Sequence, residues 1–164
     1  MNSFILGRVC TAGLLLVAVF NVANAAEPPA PAAAAAPAVV AFPPDALAGA
    51  GLVAIPPYNK AVTISGLQKL SARELFSGAF VAFVWATEDG GSMRLKDNPF
   101  DQLAQVLAGT ATLTGADGTV RQFTVGESYV VPKGYSGTWT LTPGYRHIIL
   151  VETRQLQAGI AQFE

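Results

Sequence analysis

One histidine, His147, and one cysteine, Cys10, occur among the 164 residues. A single subunit therefore cannot build a metal site from two imidazoles. His147 lies in the run Tyr145-Arg-His-Ile-Ile-Leu-Val151. Imidazole titrates near neutrality and suits proton transfer. With no partner identifiable in the sequence, a hydrogen-bonded structural histidine near a strand end is the competing reading. Strand alternation groups His147 with Tyr145, Ile149 and Val151, and Arg146 with Ile148 and Leu150. Both sets are largely apolar, so alternation leaves either face as the inner one. Trp85 and Trp139 offer aromatic walls for apolar or sugar-like ligands, or simple filling of a small barrel. Asp97 and Asp101 flank Pro99, where a turn is expected, and read as solvated loop carboxylates. Ser71-Ala-Arg-Glu74 has the Ser-x-x-Glu form of a helix capping box, which accounts for both polar residues without catalysis. The expectation there is one helical turn, stopped by Ser77-Gly78.

The elements that must position these residues are short strands. Ala79 to Ala86 is a β-rich apolar run, and Gly90-Gly91 punctuates it. Strand signals continue over Ser92–Lys96, Gln102–Thr114, Thr119–Val125, Ser128–Val131, Gly137–Leu141 and Tyr145–Val151. Gly115-Ala-Asp-Gly118 between two of them is a hairpin signal, because Asp-Gly suits turns with positive φ. Gly126, Pro132, Gly134, Pro143 and Gly144 separate the others. Many short strands at this spacing predict a sandwich or barrel, and beyond the capping-box turn no further helix is expected. A formal net charge of −1, without a basic stretch, gives no sign of a nucleic-acid partner.

The N-terminus reads as an export signal. An apolar run from Val9 to Val22 follows Arg8, and Ala23-Asn24-Ala25 has the small-residue form of a cleavage site. The run is short for a membrane span of about 20 residues. Cleavage would remove Cys10 and leave a mature chain without disulfides, periplasmic or secreted and free of the membrane. Residues 26–50 form an Ala/Pro-rich spacer by composition. The folded domain is expected over residues 51–164.

Gly126-Glu-Ser-Tyr-Val-Val-Pro132-Lys-Gly134 is the most specific motif. It is preceded by Val106-Leu-Ala-Gly109 and by the Asp117-Gly118 turn, and it continues as Gly134-Tyr-Ser-Gly137-Thr-Trp139. In this order the segments resemble the two motifs of the cupin superfamily. The Gly-Thr-Trp ending resembles the subgroup of ureidoglycine aminohydrolase-like and ethanolamine-utilisation-like proteins. The resemblance implies an all-β cupin double-stranded β-helix, a jelly-roll-like barrel, over most of the mature domain. It also implies positions for the metal ligands that most cupins carry as three His and one Glu. Those positions fall here on Lys96, Asn98, Gln102 and Gly137. A cation, two neutral amides and a residue without a side chain make a poor transition-metal set, so no metal cofactor is expected.

The same alignment places Trp139 on the inner face, two residues after Gly137. It suggests a ligand-binding set of Trp139, Gln102, Asn98, Lys96, His147 and Trp85, with the amides and Lys96 forming a polar patch inside the mouth. Lys96 could form a Schiff base only if desolvated. The expectation is an exported, metal-free cupin-domain protein that binds a small organic ligand. A cupin-type hydrolase or isomerase, and a structural or interaction protein with a filled barrel, stand beside it. Val62 to Ser65 could add a strand to a partner's sheet edge, so a homodimer is also expected.

Overall fold

Residues 38–55, 63–65 and 69–160 are described by the structure, which is a computed structural model. The expected signal peptide and residues 26–37 of the spacer lie outside them. The elements run α1 (Pro44–Leu47), β1 (Val53–Ile55), β2 (Thr63–Ser65), β3 (Leu70–Ser77), β4 (Phe80–Thr87), β5 (Gly91–Leu95), β6 (Gln102–Ala108), β7 (Ala111–Gly115), β8 (Val120–Phe123), β9 (Ser128–Val131), β10 (Gly137–Leu141), β11 (Arg146–Glu152) and α2 (Thr153–Ile160). No helix among the described residues is long and apolar enough to cross a membrane.

The strands form a six-stranded sheet in the order β1-β3-β4-β11-β6-β9 and a five-stranded sheet in the order β2-β5-β10-β7-β8. Their inner faces pack together. Trp85, Val106, Tyr129, Val131, Tyr145 and Ile149 of the first sheet and its flanking turn meet Met93, Leu113, Trp139 and Leu141 of the second in one buried cluster. Period-two alternation produces this directly: Gln102, Ala104 and Val106 are buried while Leu103 and Gln105 are exposed. Gly109 lets the chain turn from β6 into β7. Its φ is +72°, and a Cβ there would come 2.7 Å from the Thr142 hydroxyl oxygen. Asp117-Gly118 closes the β7–β8 hairpin, with the Gly118 N–H donating to the Gly115 carbonyl at 3.0 Å.

Three expectations change. Ser71–Glu74 is strand, not a helical turn. β3 is paired on both sides, Ser71 facing Ala54 of β1 and Ala86 of β4; two ladders of hydrogen bonds outweigh a local capping pattern. Two helices form where none was expected, α1 within the Ala/Pro-rich spacer and the terminal α2. Glu152 caps α2, accepting the Gln155 N–H at 2.7 Å, and Leu156 packs against the core. Finally, Thr63–Ser65 pairs with Arg94–Ser92 of β5 in its own chain, so this segment is already used within the subunit.

Packing also begins before the expected boundary at residue 50. Ala46 is fully buried, Arg146 Nε donates to the Leu47 carbonyl at 2.8 Å, and Arg73 donates to the Ala50 carbonyl at 2.6 Å. The two guanidinium groups satisfy carbonyls at and beyond the C-terminal end of α1, where cations are favoured.

Candidate functional site

The barrel interior holds a connected polar chain. The Tyr129 and Tyr145 hydroxyls are 3.0 Å apart, and the Tyr145 hydroxyl is 2.7 Å from His147 Nδ1. β9 supplies Tyr129 and β11 supplies His147, while Tyr145 leads into β11 on the same face, as alternation grouped them. Two tryptophans enclose the imidazole: Trp85 at 5.3 Å between ring centroids and Trp139, nearly edge-on, at 6.0 Å. Trp85 is His147's neighbour in register on β4. Trp139 also meets Tyr129 edge-on. His147 Nε2 and Trp139 Nε1 have no hydrogen-bond partner among the described residues.

Burial sets the electrostatics of this chain. Desolvation brings the His147 pKa down to about 3 and pushes Tyr129 up to about 12. Tyr145 is raised further, by burial first and then by Tyr129. All three groups are therefore neutral at physiological pH. They can donate, accept and stack, but none holds a charge or exchanges a proton at low cost.

The four residues that the cupin resemblance aligned with metal ligands have different surroundings. Lys96 is exposed and lines a trough on the outside of the five-stranded sheet with Arg94 and Thr138. Asn98 is buried, and its amide donates to the Phe100 and Pro132 carbonyls at 2.6 and 3.3 Å. Backbone bonds reinforce it, Asn98 N–H to the Tyr135 carbonyl and Gly134 N–H to the Asn98 carbonyl. Asn98 thus staples two loops. Asp97, with φ +51°, interrupts alternation between it and Lys96. Gln102 is buried on the inner face beside Val131. The expected polar patch of Lys96, Asn98 and Gln102 is therefore dispersed: one faces outward, one is occupied, and one faces the barrel. At Gly137 an added Cβ would run into the Tyr135 hydroxyl and the Thr114 carbonyl, so Tyr135 uses the space that a side chain at 137 would need. Among the described residues no three of His, Cys, Asp and Glu gather into a metal-ligand group.

A cavity of about 390 Å³ opens between β8 and β9, the adjoining edges of the two sheets. Leu113, Phe123, Tyr129 and Val131 form its apolar wall, and Asp117, Thr119, Arg121 and Tyr135 supply polar groups. Phe123 stacks on Tyr129 with centroids 4.4 Å apart. The Tyr135 hydroxyl is buried and unpartnered among the described residues. Its pKa is raised by burial and then by the negative charge of Asp117. The Asp117 carboxylate accepts the Thr119 N–H and hydroxyl, both at 2.9 Å, which hold its pKa low. Trp139, Trp85, His147 and Gln102 are not in this lining; Tyr129 connects it to the interior chain.

Strand alternation grouped Tyr145 with His147, whereas Arg121, Tyr129 and Tyr135 were not among the expected site residues. Counting outward from the Asp117-Gly118 turn would have paired 121 with 113, as observed. The motif's own alternation puts Tyr129 on the face of Val131.

Residues 74–147 match the family model described as EutQ-like cupin domain. No curated protein matches the chain. Solved structures similar to it include a putative ethanolamine utilization protein Q from Salmonella typhimurium, at 16% identity and TM-score 0.46, covering 53% of this chain and 73% of that one. KdgF from a Halomonas species is 15% identical over 54% of this chain and 83% of its own, with TM-score 0.45. The polyketide cyclase RemF from Streptomyces resistomycificus is 20% identical over 55% and 72%, also with TM-score 0.45.

Proposed function

Because the chain carries a cupin domain, we propose that it binds a small organic molecule at the side mouth of the barrel, without a transition metal. The observation that carries this reading is the cavity between β8 and β9, where an aromatic and aliphatic wall meets a few convergent polar groups. That combination is the usual make-up of a small-molecule site. The interior chain behind it favours binding over catalysis. A general acid or base works best with a pKa near the operating pH, whereas His147 titrates near 3 and Tyr129 near 12. The hydrolase or isomerase reading thus lacks a proton carrier here.

Export rests on the Ala23-Asn24-Ala25 pattern, and the proposed location is periplasmic or secreted. N-terminal sequencing of the exported protein is expected to begin at Ala26, and full-length Met1 in that fraction overturns it. For assembly we propose a homodimer. Among the described residues, β1 and β2 each leave an outer edge unpaired in their sheets. Static light scattering giving a monomer at high concentration overturns this.

A compound screen followed by thermal shift tests the binding reading. A ligand at about 100 times its Kd is expected to add about 2.7 kcal/mol of stability. That gain should shrink in Phe123→Ala and Tyr135→Ala. A gain unchanged in both variants moves the site elsewhere, and a screen without any stabilising compound leaves the filled barrel as the function.

A further inference from the structure

Arg121 narrows the chemistry of the ligand. In β8 it pairs with Leu113 of β7, and directly opposed residues share a face of the sheet. Leu113 is buried in the core, so Arg121 projects from the inner face of an edge strand into the rim of the cavity it lines. Among the described residues its guanidinium has no hydrogen bond or ion pair. The other acid-base group nearby, Asp117, is already held by Thr119. Tyr135 offers a buried hydroxyl, also without a partner among the described residues, while Phe123 and Tyr129 present stacked rings beside it.

Resting on the binding reading, we infer that the mouth takes a small planar organic monoanion, a carboxylate on an aromatic or unsaturated body. The carboxylate sits against Arg121, whose fork of donors matches its two oxygens. The Tyr135 hydroxyl donates to the same group, and the flat body lies along the Phe123–Tyr129 wall. Asp117 repels the anion from the turn and favours its placement towards Arg121.

Calorimetric titration of the intact chain with benzoate and with its neutral isostere benzamide tests the inference. Benzoate is expected to bind at least about tenfold more tightly, as a charge-assisted pair should, and to weaken as salt rises. Arg121→Gln should weaken benzoate by about tenfold or more and change benzamide by less than about twofold, with Arg121→Lys intermediate. Tyr135→Phe should weaken benzoate by a smaller factor. Arg121 is exposed, and an unchanged melting temperature confirms that its variants fold. Equal affinity for both probes, or benzoate binding unaffected by Arg121→Gln, overturns the anion inference while leaving the binding mouth in place. A variant that binds benzoate normally but self-associates assigns Arg121 to protection of the sheet edge and also overturns it. Failure of both probes overturns it as well; the broader compound screen then decides separately whether the mouth binds anything.

Discussion

Tyr145 and His147 lie two residues apart on the inner face, with the phenolic oxygen 2.7 Å from Nδ1. Neither residue is exposed. This short bond joins the histidine to Tyr129, and so to the wall of the mouth, while burial keeps the imidazole uncharged. Its environment makes the only histidine in the sequence a buried neutral hydrogen-bonding group instead of a proton carrier.

That neutrality has a measurable pH signature. The His147 pKa falls from an ordinary 6.5 to about 3 on folding. Between these values the unfolded chain binds a proton that the folded chain refuses. The contribution to stability is therefore fully present above about pH 6.5 and declines as pH falls towards 3, at about 1.4 kcal/mol per pH unit. Urea unfolding at pH 7, 5.5 and 4.5 should show this slope, and His147→Gln should flatten it. The His147 ring signals in an NMR titration should stay at their neutral positions down to pH 4.5.

Tyr145→Phe removes the middle of the chain and leaves both the Tyr129 hydroxyl and His147 Nδ1 without that partner. A loss of about 1–3 kcal/mol is expected for stranding buried polar groups. Tyr129→Phe strands only one hydroxyl and should cost less. Denaturant midpoints at fixed pH compare them.

Gly137→Ala should destabilise the domain by about 1–3 kcal/mol, the usual range for overpacking, because the new methyl meets the Tyr135 hydroxyl and the Thr114 carbonyl. Tyr135→Ala in the same chain should relieve part of the cost, although the Thr114 backbone contact stays. A double-mutant cycle measures the coupling.

Elemental analysis of tag-free protein should find Mn, Fe, Ni and Zn well below one ion per chain. The expectation rests on side-chain chemistry: Lys96 points outward, the Asn98 amide is engaged, Gln102 is neutral and Gly137 has no ligand atom. One tightly held ion per chain would contradict it.

Asn98→Ala should loosen the two loops at this end of the barrel. The side-chain bonds to Phe100 and Pro132 disappear, leaving backbone bonds to hold them. A cost of about 1–3 kcal/mol is expected, with faster amide exchange at Gly134 and Tyr135.

From β4 to β11 the sequence by itself determined where most strands and turns fall, since alternation and turn chemistry are local properties. Gly126, Pro132 and Gly134 framed β9, and Asp117-Gly118 framed the hairpin. At the four positions that the cupin resemblance implies for metal ligands, the residue types made a transition-metal site unfavourable. The grouping of His147 with Tyr145 was legible for the same reason, because a period of two needs no knowledge of neighbours.

Only the tertiary structure decided which face is inner and what each side chain meets there. A Ser-x-x-Glu pattern became strand at Ser71 because β1 and β4 supply hydrogen bonds from both sides. Lys96 faces outward, with a backbone twist at Asp97 separating it from Asn98. Arg121 acquired an inward direction through pairing with Leu113 across a turn, and Tyr129 met Tyr145 across 16 residues of chain. These outcomes depend on register and on the opposition of two sheets, contacts between segments distant in sequence that no local pattern encodes.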